Sequence, residues 1–373
     1  MGFYVEGLGY VNDFNGITLD EHHENFRSIT YNNRNSFDYG LIMSGLTPLL
    51  PPKKPKRQTI EIPYAHGSID VSQADGQLYF EDREITYNFA KFITRDETYG
   101  PSNENDHMNR MIQTFTASLE DWLNIARKRK RYSGQSTEFS KLYDSCFTLN
   151  NARCTGINIS KTFKRDYWVL TVQISFKGEP DIPAIASNVQ WKNLDPGNVR
   201  RDIWFNNNYP SNHSLYMTGS TPLSQLVIKR DEITSNIMQG SIDRSYQKGD
   251  PVTIDGVVYD KYTPFYQDRT ISYSFMAMFK SAGLNCITKN RACQAKIESV
   301  SNWLYGNTMT YTEGDLSMKG CPPLKDSSLT SSGYHFPFGR CTNLSVQKQI
   351  TNDYWMLVFT IGFTVYPIAK ADS

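Results

Sequence analysis

Two long stretches of the chain alternate between hydrophobic and polar residues, and each is a copy of the other. The first covers residues 153–180 and the second covers residues 340–367, an offset of 187 (340 − 153). Of the 28 aligned positions, 11 are identical. In each copy a tryptophan, Trp168 or Trp355, begins a row of apolar residues spaced two apart. This period-two pattern predicts a strand with one face on a core, and the polar residues before the tryptophan predict a hairpin.

Shorter matches continue the repeat towards the N-terminus. They keep the same order in both halves, with an offset that changes from 174 through 173 and 186 to 187. The matching stretches are 41–49 with 215–223, 67–70 with 240–243, and 82–89 with 268–275. An ordered set of matches at this spacing indicates duplication of a whole domain and not a short-period solenoid.

The duplication predicts a division of the 373 residues into four parts. Residues 1–35, rich in Asn, Gly and acidic side chains, are predicted to be an arm that orders on a neighbour. The first domain is placed at 36–185 and its copy at 212–368, with an Asn- and Pro-rich linker at 186–211. A domain of this size buries a core without needing disulfides or metals.

One amphipathic helix is expected in each half. Residues 108–132 carry apolar side chains at helical spacing, and residues 293–305 form the shorter counterpart. Trp122 and Trp303 occupy equivalent positions on the two helices. Both are interpreted as anchors that pack the helix on the sheet, while a role as ligand platforms is the alternative.

These elements predict an α+β, mainly β fold. It consists of two homologous β-sandwich-like domains, each with one amphipathic helix packed on the sheet. The predicted structural core comprises the residues that recur in both halves: Trp122, Trp168, Trp303, Trp355, Asp166, Asp353, Cys154 and Cys341.

The composition of the chain argues against several classes of protein. The net charge of +1 argues against a strongly basic nucleic-acid binder, and aromatic residues make up 13% of the chain. No apolar run approaches the roughly 20 residues of a membrane helix, so no membrane insertion is expected. No secretory signal is expected either, and the six cysteines are interpreted as thiols in a reducing compartment.

The sequence predicts no catalytic residues, no cofactor and no metal. It contains no nucleophile elbow, phosphate-binding loop or zinc-protease motif, and its histidines do not recur between the halves. Asp166 and Asp353 do recur; they are interpreted as turn residues, with a duplicated catalytic carboxylate as the alternative. The acidic and histidine residues at 20–24 form a second open alternative, a metal site. The basic run at 127–131 suits a helix C-terminus, with phosphate contact as its alternative.

Several short motifs of the first half resemble the distal tail proteins of long-tailed phages. They lie at residues 36–41, 60–63, 67–70 and 79–92, with a Pro- and Lys-rich connection after the first. The resemblance covers about residues 36–180, the ring-forming N-terminal domain of that family. Members of the family often continue with a carbohydrate-binding-like module. The second half here instead looks like a second ring domain, which departs from the pattern.

The resemblance implies a structural virion protein and not an enzyme. Such a protein forms a ring at the tail tip, is assembled in the host cytoplasm, and joins the tail tube protein to the baseplate hub, tail fibre or receptor-binding protein. DNA passes through the lumen without specific binding. The alternatives are a carbohydrate-binding adhesion module of the baseplate, a trimeric tail hub with pseudo-six-fold symmetry, and a cell-wall hydrolase.

The chain is expected to assemble with itself. Three chains give six domains in one ring, and six chains give twelve domains in two layers or two concentric rings. The halves differ at polar and loop positions, including the basic run at 127–131, which argues against their alternation in one ring. Six chains are therefore favoured, and three chains are the alternative.

Overall fold

A computed structural model gives the fold. The structure describes residues 3–5, 9–11, 27–46, 48–61, 68–71, 78–94, 101–132, 140–164, 167–182, 189–191, 203–205, 227–228, 246–248, 252–255, 257–259, 262–266, 268–305, 310–313, 316–319, 324–326, 334–336, 339–351, 353–365 and 370–371.

Antiparallel strands dominate these residues, together with two α-helices, α1 (Pro101–Tyr132) and α2 (Cys286–Tyr305). The strands are β1 (Phe3–Val5), β2 (Gly9–Val11), β3 (Ile29–Tyr31), β4 (Arg34–Asn35), β5 (Ile42–Met43), β6 (Thr59–Glu61), β7 (Ser68–Asp70), β8 (Arg83–Thr94), β9 (Leu142–Asp144), β10 (Thr148–Lys164), β11 (Tyr167–Asp181), β12 (Ile203–Phe205), β13 (Val227–Ile228), β14 (Tyr246–Lys248), β15 (Val252–Ile254), β16 (Val257–Tyr259), β17 (Tyr262–Tyr266), β18 (Arg269–Lys280), β19 (Thr310–Glu313), β20 (Leu316–Lys319), β21 (Leu324–Asp326), β22 (Tyr334–Phe336), β23 (Gly339–Ile350), β24 (Tyr354–Val365) and β25 (Lys370–Ala371). The expectation of an α+β, mainly β chain is confirmed at this level.

The chain divides into two compact units whose limits do not follow the halves of the sequence. Unit 1 comprises Met1–Pro51, Asp82–Asn188 and Gly283–Ala295, and unit 2 comprises Pro52–Glu81, Val189–Ala282 and Lys296–Ser373. A segment of the first half, residues 52–81, therefore belongs to unit 2. Conversely, the first ten residues of helix α2 belong to unit 1.

Unit 1 is built on a seven-stranded antiparallel sheet in the order β4-β3-β9-β10-β11-β8-β5. The apolar face of β11 lies on the core, because Leu170, Val172, Ile174 and Phe176 are fully buried. Helix α1 contributes the other side of this core. Its buried or partly buried side chains recur every three or four residues, and they are Met108, Ile112, Phe115, Leu119, Trp122 and Leu123.

Unit 2 contains two four-stranded antiparallel sheets, in the orders β13-β18-β24-β23 and β12-β21-β22-β25. The alternating row on β24 is buried throughout, from Trp355 to Val365. The second half of helix α2 supplies Ile297, Val300 and Leu304 to the buried residues of this unit. Hydrophobic burial of this kind is the main stabilising term for both units.

Four strands of unit 1 and four of unit 2 share their order and their register. The order β5-β8-β11-β10 matches β13-β18-β24-β23. Trp168 pairs with Ile93 and Phe163, and Trp355 pairs with Phe279 and Ile350, at offsets of 186 and 187. The long hairpins also have a register shift at the same place, between Cys154 and Gly156 and between Cys341 and Asn343.

The predicted arm includes residues that belong to the sheet of unit 1. Strand β3 pairs with β9, and its Ile29 and Tyr31 are buried in the core. Asn32 and Asn33 have positive φ values of 50° and 62°, which suits the tight turn that leads into β4. Residues 27–35 of the stretch assigned to an arm that orders on a neighbour therefore belong to unit 1 of the same chain, with Asn-Asn supplying the hairpin turn between β3 and β4.

The apolar composition of residues 36–50 predicts the first strand of the domain, but this stretch starts with a 3₁₀ helix, Ser36–Tyr39. Asn35 caps this helix, since its side chain accepts from the Phe37 N–H while Asp38 accepts from the Asn35 N–H. A reciprocal capping box favours helical over extended backbone. Strand formation in this stretch is limited to β5.

The predicted linker at 186–211 also contains ordered contacts in unit 2. Strand β12 pairs with β21, and Trp191 forms a bridge with Phe279, with ring centroids 5.0 Å apart. Aromatic contact and strand pairing hold this stretch on the unit despite its polar composition.

Candidate functional site

The residues predicted to form the core lie in different environments. Trp122 is fully buried, and its Nε1 donates to the Tyr31 carbonyl at 2.8 Å. Trp355 and Cys341 are buried, whereas Trp168 and Cys154 are half-buried. Trp303 lies in helix α2, but its side chain falls outside the described residues.

Of the two predicted turn aspartates, the structure describes one. Asp166 lies outside the described residues. Asp353 is exposed, and its backbone carbonyl accepts from the Ser281 N–H at 2.9 Å. The β23–β24 turn is closed by Thr351, whose hydroxyl accepts from the Tyr354 N–H at 3.1 Å. The structural role predicted for Asp353 therefore rests on its backbone.

Within the described ranges, no three His, Cys, Asp or Glu side chains are grouped so that they could hold a metal ion. The proposed metal ligands at residues 20–24 fall outside those ranges. The basic run at 127–131 lies in the last turns of helix α1. Cys146, Cys154, Cys286, Cys293 and Cys341 are thiols and not half-cystines.

A buried ion pair that the sequence did not reveal lies in unit 1. Arg27 and Asp144 have side chains with no solvent exposure, and Arg27 Nε donates to Asp144 Oδ1 at 2.7 Å. The Tyr87 hydroxyl donates to Oδ2 at 2.8 Å, and the Cys146 N–H donates to Oδ1 at 3.0 Å. Multiple hydrogen bonds of this kind are what allow a buried carboxylate to stay in an apolar core.

Burial and charge act together on this cluster. Burial opposes the charge on Arg27, but the combined effect of Asp144, Cys146 and Tyr87 outweighs it and raises the pKa of the guanidinium. Burial, reinforced by the charge of Asp144, raises the pKa of Tyr87 well above its ordinary value. Tyr87 therefore stays a hydrogen-bond donor to Asp144 through the neutral pH range.

The ion pair fixes two pieces of backbone in unit 1. Asp144 anchors the turn from Asp144 to Phe147, which is closed by the Asp144 N–H donating to the Phe147 carbonyl at 2.9 Å. Arg27 Nη1 donates to the Pro48 carbonyl at 3.0 Å. The backbone near Pro48 and the backbone of the turn are thus held by one guanidinium.

The first turns of helix α2 bind to these two pieces of backbone, in contacts that lie entirely within unit 1. Arg291 Nε donates to the Ser145 carbonyl at 2.7 Å. Gln294 pairs with Leu50 from both ends of its amide, since its Oε1 accepts from the Leu50 N–H at 2.9 Å and its Nε2 donates to the Leu50 carbonyl at 3.5 Å. The contacts recognise backbone atoms, so they depend on the shape of the acceptor stretch and not on its side chains.

The later turns of helix α2 are covered in unit 2 by the segment 52–81. Lys53 Nζ donates to Asn302 Oδ1 at 2.6 Å and lies 3.9 Å from Glu298. The Phe80 ring meets Tyr305 edge to face at 5.9 Å. These contacts leave helix α2 with buried or half-buried side chains on nearly all sides in its described part.

The same segment covers the bulge of the β23–β24 hairpin. Arg57 Nη2 donates to the Cys341 carbonyl at 3.3 Å, and the Tyr305 hydroxyl lies 3.3 Å from Cys341 Sγ. Burial raises the pKa of the Cys341 thiol to about 11 and also raises the pKa of Tyr305. Both groups therefore remain protonated and packed at neutral pH.

Lys296 is the buried cation of helix α2 in unit 2, and it predicts a pH dependence of stability. Its side chain is 4% exposed, its Nζ lies 4.7 Å from the Trp191 ring centroid, and burial lowers the pKa of Lys296 to about 8. The unfolded chain therefore binds more protons than the folded chain between about pH 8 and 10.5, so this group makes stability rise with pH across that window.

Replacing Lys296 with methionine removes this dependence. Below pH 8 we expect Lys296→Met to be more stable than the wild type by about 3 kcal/mol, with the difference closing towards pH 10.5. Urea unfolding at a series of pH values measures the two curves. Curves that stay parallel from pH 7 to 10.5 would contradict the buried charge.

Comparison with known proteins adds no assignment, since no protein-family model matches the chain and no curated protein matches it. In the described part of the chain, no helix has both the length and the hydropathy needed to cross a membrane.

Proposed function

We propose that the chain is a structural virion protein of a phage tail tip, which forms a ring between the tail tube and the baseplate hub or receptor-binding apparatus. In this proposal it is not an enzyme and uses no cofactor. Its partners are other copies of itself, the tail tube protein and the hub or fibre proteins below. DNA passes through the lumen without specific binding, and the protein is located in the virion after assembly in the host cytoplasm.

The observation that carries the proposal is a repeated ion pair at the end of the repeated sheet. Arg153 lies 3.4 Å from Asp82 in unit 1, and Arg340 lies 2.7 Å from Asp268 in unit 2. In both units the arginine precedes the cysteine of the bulge, and the aspartate precedes the long strand β8 or β18. This supports two copies of one β-domain, as the resemblance to ring-forming tail proteins implies.

A second repeated contact supports the interpretation of the two sheets as copies of one β-domain. Lys161 Nζ lies 5.3 Å from the Trp168 ring centroid, and Lys348 Nζ lies 4.9 Å from that of Trp355. Lysine and tryptophan are seven positions apart in each hairpin, so the cation–π contact spans the same turn. Repetition at this level favours duplication over chance similarity of strand composition.

A trimeric hub with pseudo-six-fold symmetry is the second candidate. It requires that both halves keep compatible lateral contacts. Helix α2 docks through Arg291 and Gln294 of an Asn-Arg-x-x-Gln sequence at residues 290–294, and helix α1 carries the same sequence at residues 109–113. Retention of these residues in both helices favours alternation of the halves in one ring, in spite of their divergence elsewhere.

Native mass spectrometry of the purified chain tests the ring, because it separates a monomer from a closed oligomer of three or six chains. Two further assays test the rivals. A carbohydrate-binding module gives signal on a glycan array, and a hydrolase releases reducing ends from cell-wall polymer. A stable monomer that shows either activity would overturn the proposed function.

A further inference from the structure

The two helices carry the same docking residues in opposite environments. Aligning Trp122 with Trp303, an offset of 181 (303 − 122), places Leu119 on Val300 and Leu123 on Leu304, and all four of these aliphatic side chains are buried. The same alignment superposes two identical triplets. Asn109, Arg110 and Gln113 of helix α1 match Asn290, Arg291 and Gln294 of helix α2.

The triplet of helix α2 is covered, and the triplet of helix α1 is exposed. Asn290 and Gln294 are fully buried and Arg291 is half-buried. Asn109, Arg110 and Gln113 are all exposed to solvent, and Asn109 Oδ1 accepts from Lys161 Nζ at 3.3 Å. Further positions with the same contrast, exposed in helix α1 and buried in helix α2, are Asn105 with Cys286, Met111 with Ala292, and Glu120 with Ser301.

The repeated ion pair shows the same contrast outside the helices. In unit 1 the side chains of Arg153 and Asp82 are 64% and 39% exposed. In unit 2 those of Arg340 and Asp268 are 11% and 17% exposed. Cys341 is buried beneath Arg57 and Tyr305, whereas Cys154 is half-buried. The first half thus has an open surface where the matching surface of the second half is covered.

We propose that the α1 donor face, defined as Asn109, Arg110 and Gln113, is the docking surface for a second copy of this chain. Arg110 and Gln113 bind backbone atoms of the neighbouring chain, as Arg291 and Gln294 bind those of Ser145 and Leu50 within unit 1. The inference rests on the proposed function, because it requires that the two halves are copies and that the chain assembles with itself.

The chemistry of the observed docking explains why a second copy fits. Arg291 and Gln294 contact only backbone atoms, so an acceptor stretch with different side chains serves the same donors. Within one chain, the acceptors of the first half are occupied by helix α2. The exposed donors of helix α1 are then available to the backbone of another chain, in a head-to-tail arrangement that closes into a ring.

The connection between β13 and β18 supplies an apolar element for the same contact. In chain order this connection corresponds to the segment between β5 and β8, part of which covers helix α2 in unit 2. Its β15–β16 hairpin exposes three neighbouring aliphatic side chains, Ile254, Val257 and Val258, which are 56%, 53% and 63% exposed. A cluster of exposed aliphatic residues is typical of a protein contact surface.

A pair of matched double variants tests the donor face. Arg110→Ala/Gln113→Glu removes both donors and changes the net charge by −2. Thr114→Glu/Ser118→Glu changes the charge equally on other exposed positions of helix α1, whose counterparts in helix α2, Ala295 and Ser299, remain half-exposed. Sedimentation velocity across a concentration series measures self-association, and circular dichroism melting confirms that each full-length variant is folded.

We expect the wild type and the Thr114→Glu/Ser118→Glu variant to assemble alike, and Arg110→Ala/Gln113→Glu to weaken self-association at least about tenfold with an unchanged melting curve. If the wild type assembles and both variants assemble equally well, the donor face is overturned while the proposed ring stands. An equal loss of self-association in both variants also overturns the donor face. A wild type that stays monomeric at every concentration overturns the proposed function itself.

Discussion

Replacing Asp144 with alanine is expected to destabilise unit 1 by about 3–5 kcal/mol, the range for removing one partner of a buried ion pair. The change leaves the Arg27 guanidinium without its carboxylate in a site with no solvent exposure. It also removes the acceptor of the Tyr87 hydroxyl and of the Cys146 N–H. Urea unfolding monitored by circular dichroism gives the free energy of unfolding.

Two comparisons separate the buried charge from the loss of a contact. Asp82→Ala breaks the solvent-exposed pair with Arg153 and is expected to cost less than about 1 kcal/mol. Arg27→Met combined with Asp144→Leu replaces both charges with apolar side chains, so we expect it to recover the part of the loss that comes from the unpaired guanidinium, while Tyr87 and Cys146 still lack their acceptor. A loss below about 1 kcal/mol in Asp144→Ala would contradict the buried ion pair.

Replacing Trp122 with alanine is expected to cost about 3–5 kcal/mol, the range for truncating a large buried aromatic side chain. The indole is fully buried, its ring stacks on Tyr39 with centroids 4.7 Å apart, and its Nε1 donates to the Tyr31 carbonyl. The change therefore removes packing between helix α1 and the 3₁₀ helix and also leaves a strand carbonyl without its donor.

The hydrogen bond and the packing of Trp122 are separable. Trp122→Phe keeps a ring in the site but cannot donate, so we expect it to cost less, about 1–3 kcal/mol. Trp168→Ala is the control for a half-buried tryptophan in the same unit, and we expect a smaller loss than for Trp122→Ala. Equal losses of stability in Trp122→Ala and Trp168→Ala would show that burial does not determine the cost of removing a tryptophan.

The sheets were predictable because their signal is local. Residues two apart on β11 and β24 share a face, and the alternation is long enough to specify both the strand and its buried side. The helices were visible for the same reason, although both start earlier than the patterns predicted. At the N-terminus of helix α1, polar residues such as Asn105 and Asp106 continue the helix but are exposed and add nothing to its apolar stripe.

Pairings between distant parts of the chain were not predictable. Arg27 lies in a stretch with polar, arm-like composition, and nothing near it indicates that Asp144 is its partner. The division into units is equally non-local, because the Pro- and Lys-rich composition of residues 48–57 predicts an extended, solvated connection and does not indicate the contact of Lys53 with helix α2.

The repeated polar triplet of the two helices is visible in the sequence, but the sequence alone does not indicate its role. The Asn-Arg-x-x-Gln residues recur at an offset of 181, close to the offset of the other matches. The apolar residues of each helix predict only the side that faces the core. Polar residues on the other side of a helix are ordinarily solvated. The hydrogen bonds of Arg291 and Gln294 to backbone atoms show that such polar residues can bind protein.

Electron-microscopic class averages of the purified wild-type chain test the central claim most directly. A tail-tip ring built from duplicated β-domains predicts closed, annular particles with an open lumen. Six lobes correspond to three chains whose halves alternate, and twelve lobes correspond to six chains. Compact particles of a single chain at high protein concentration, with no annular class, would contradict the account.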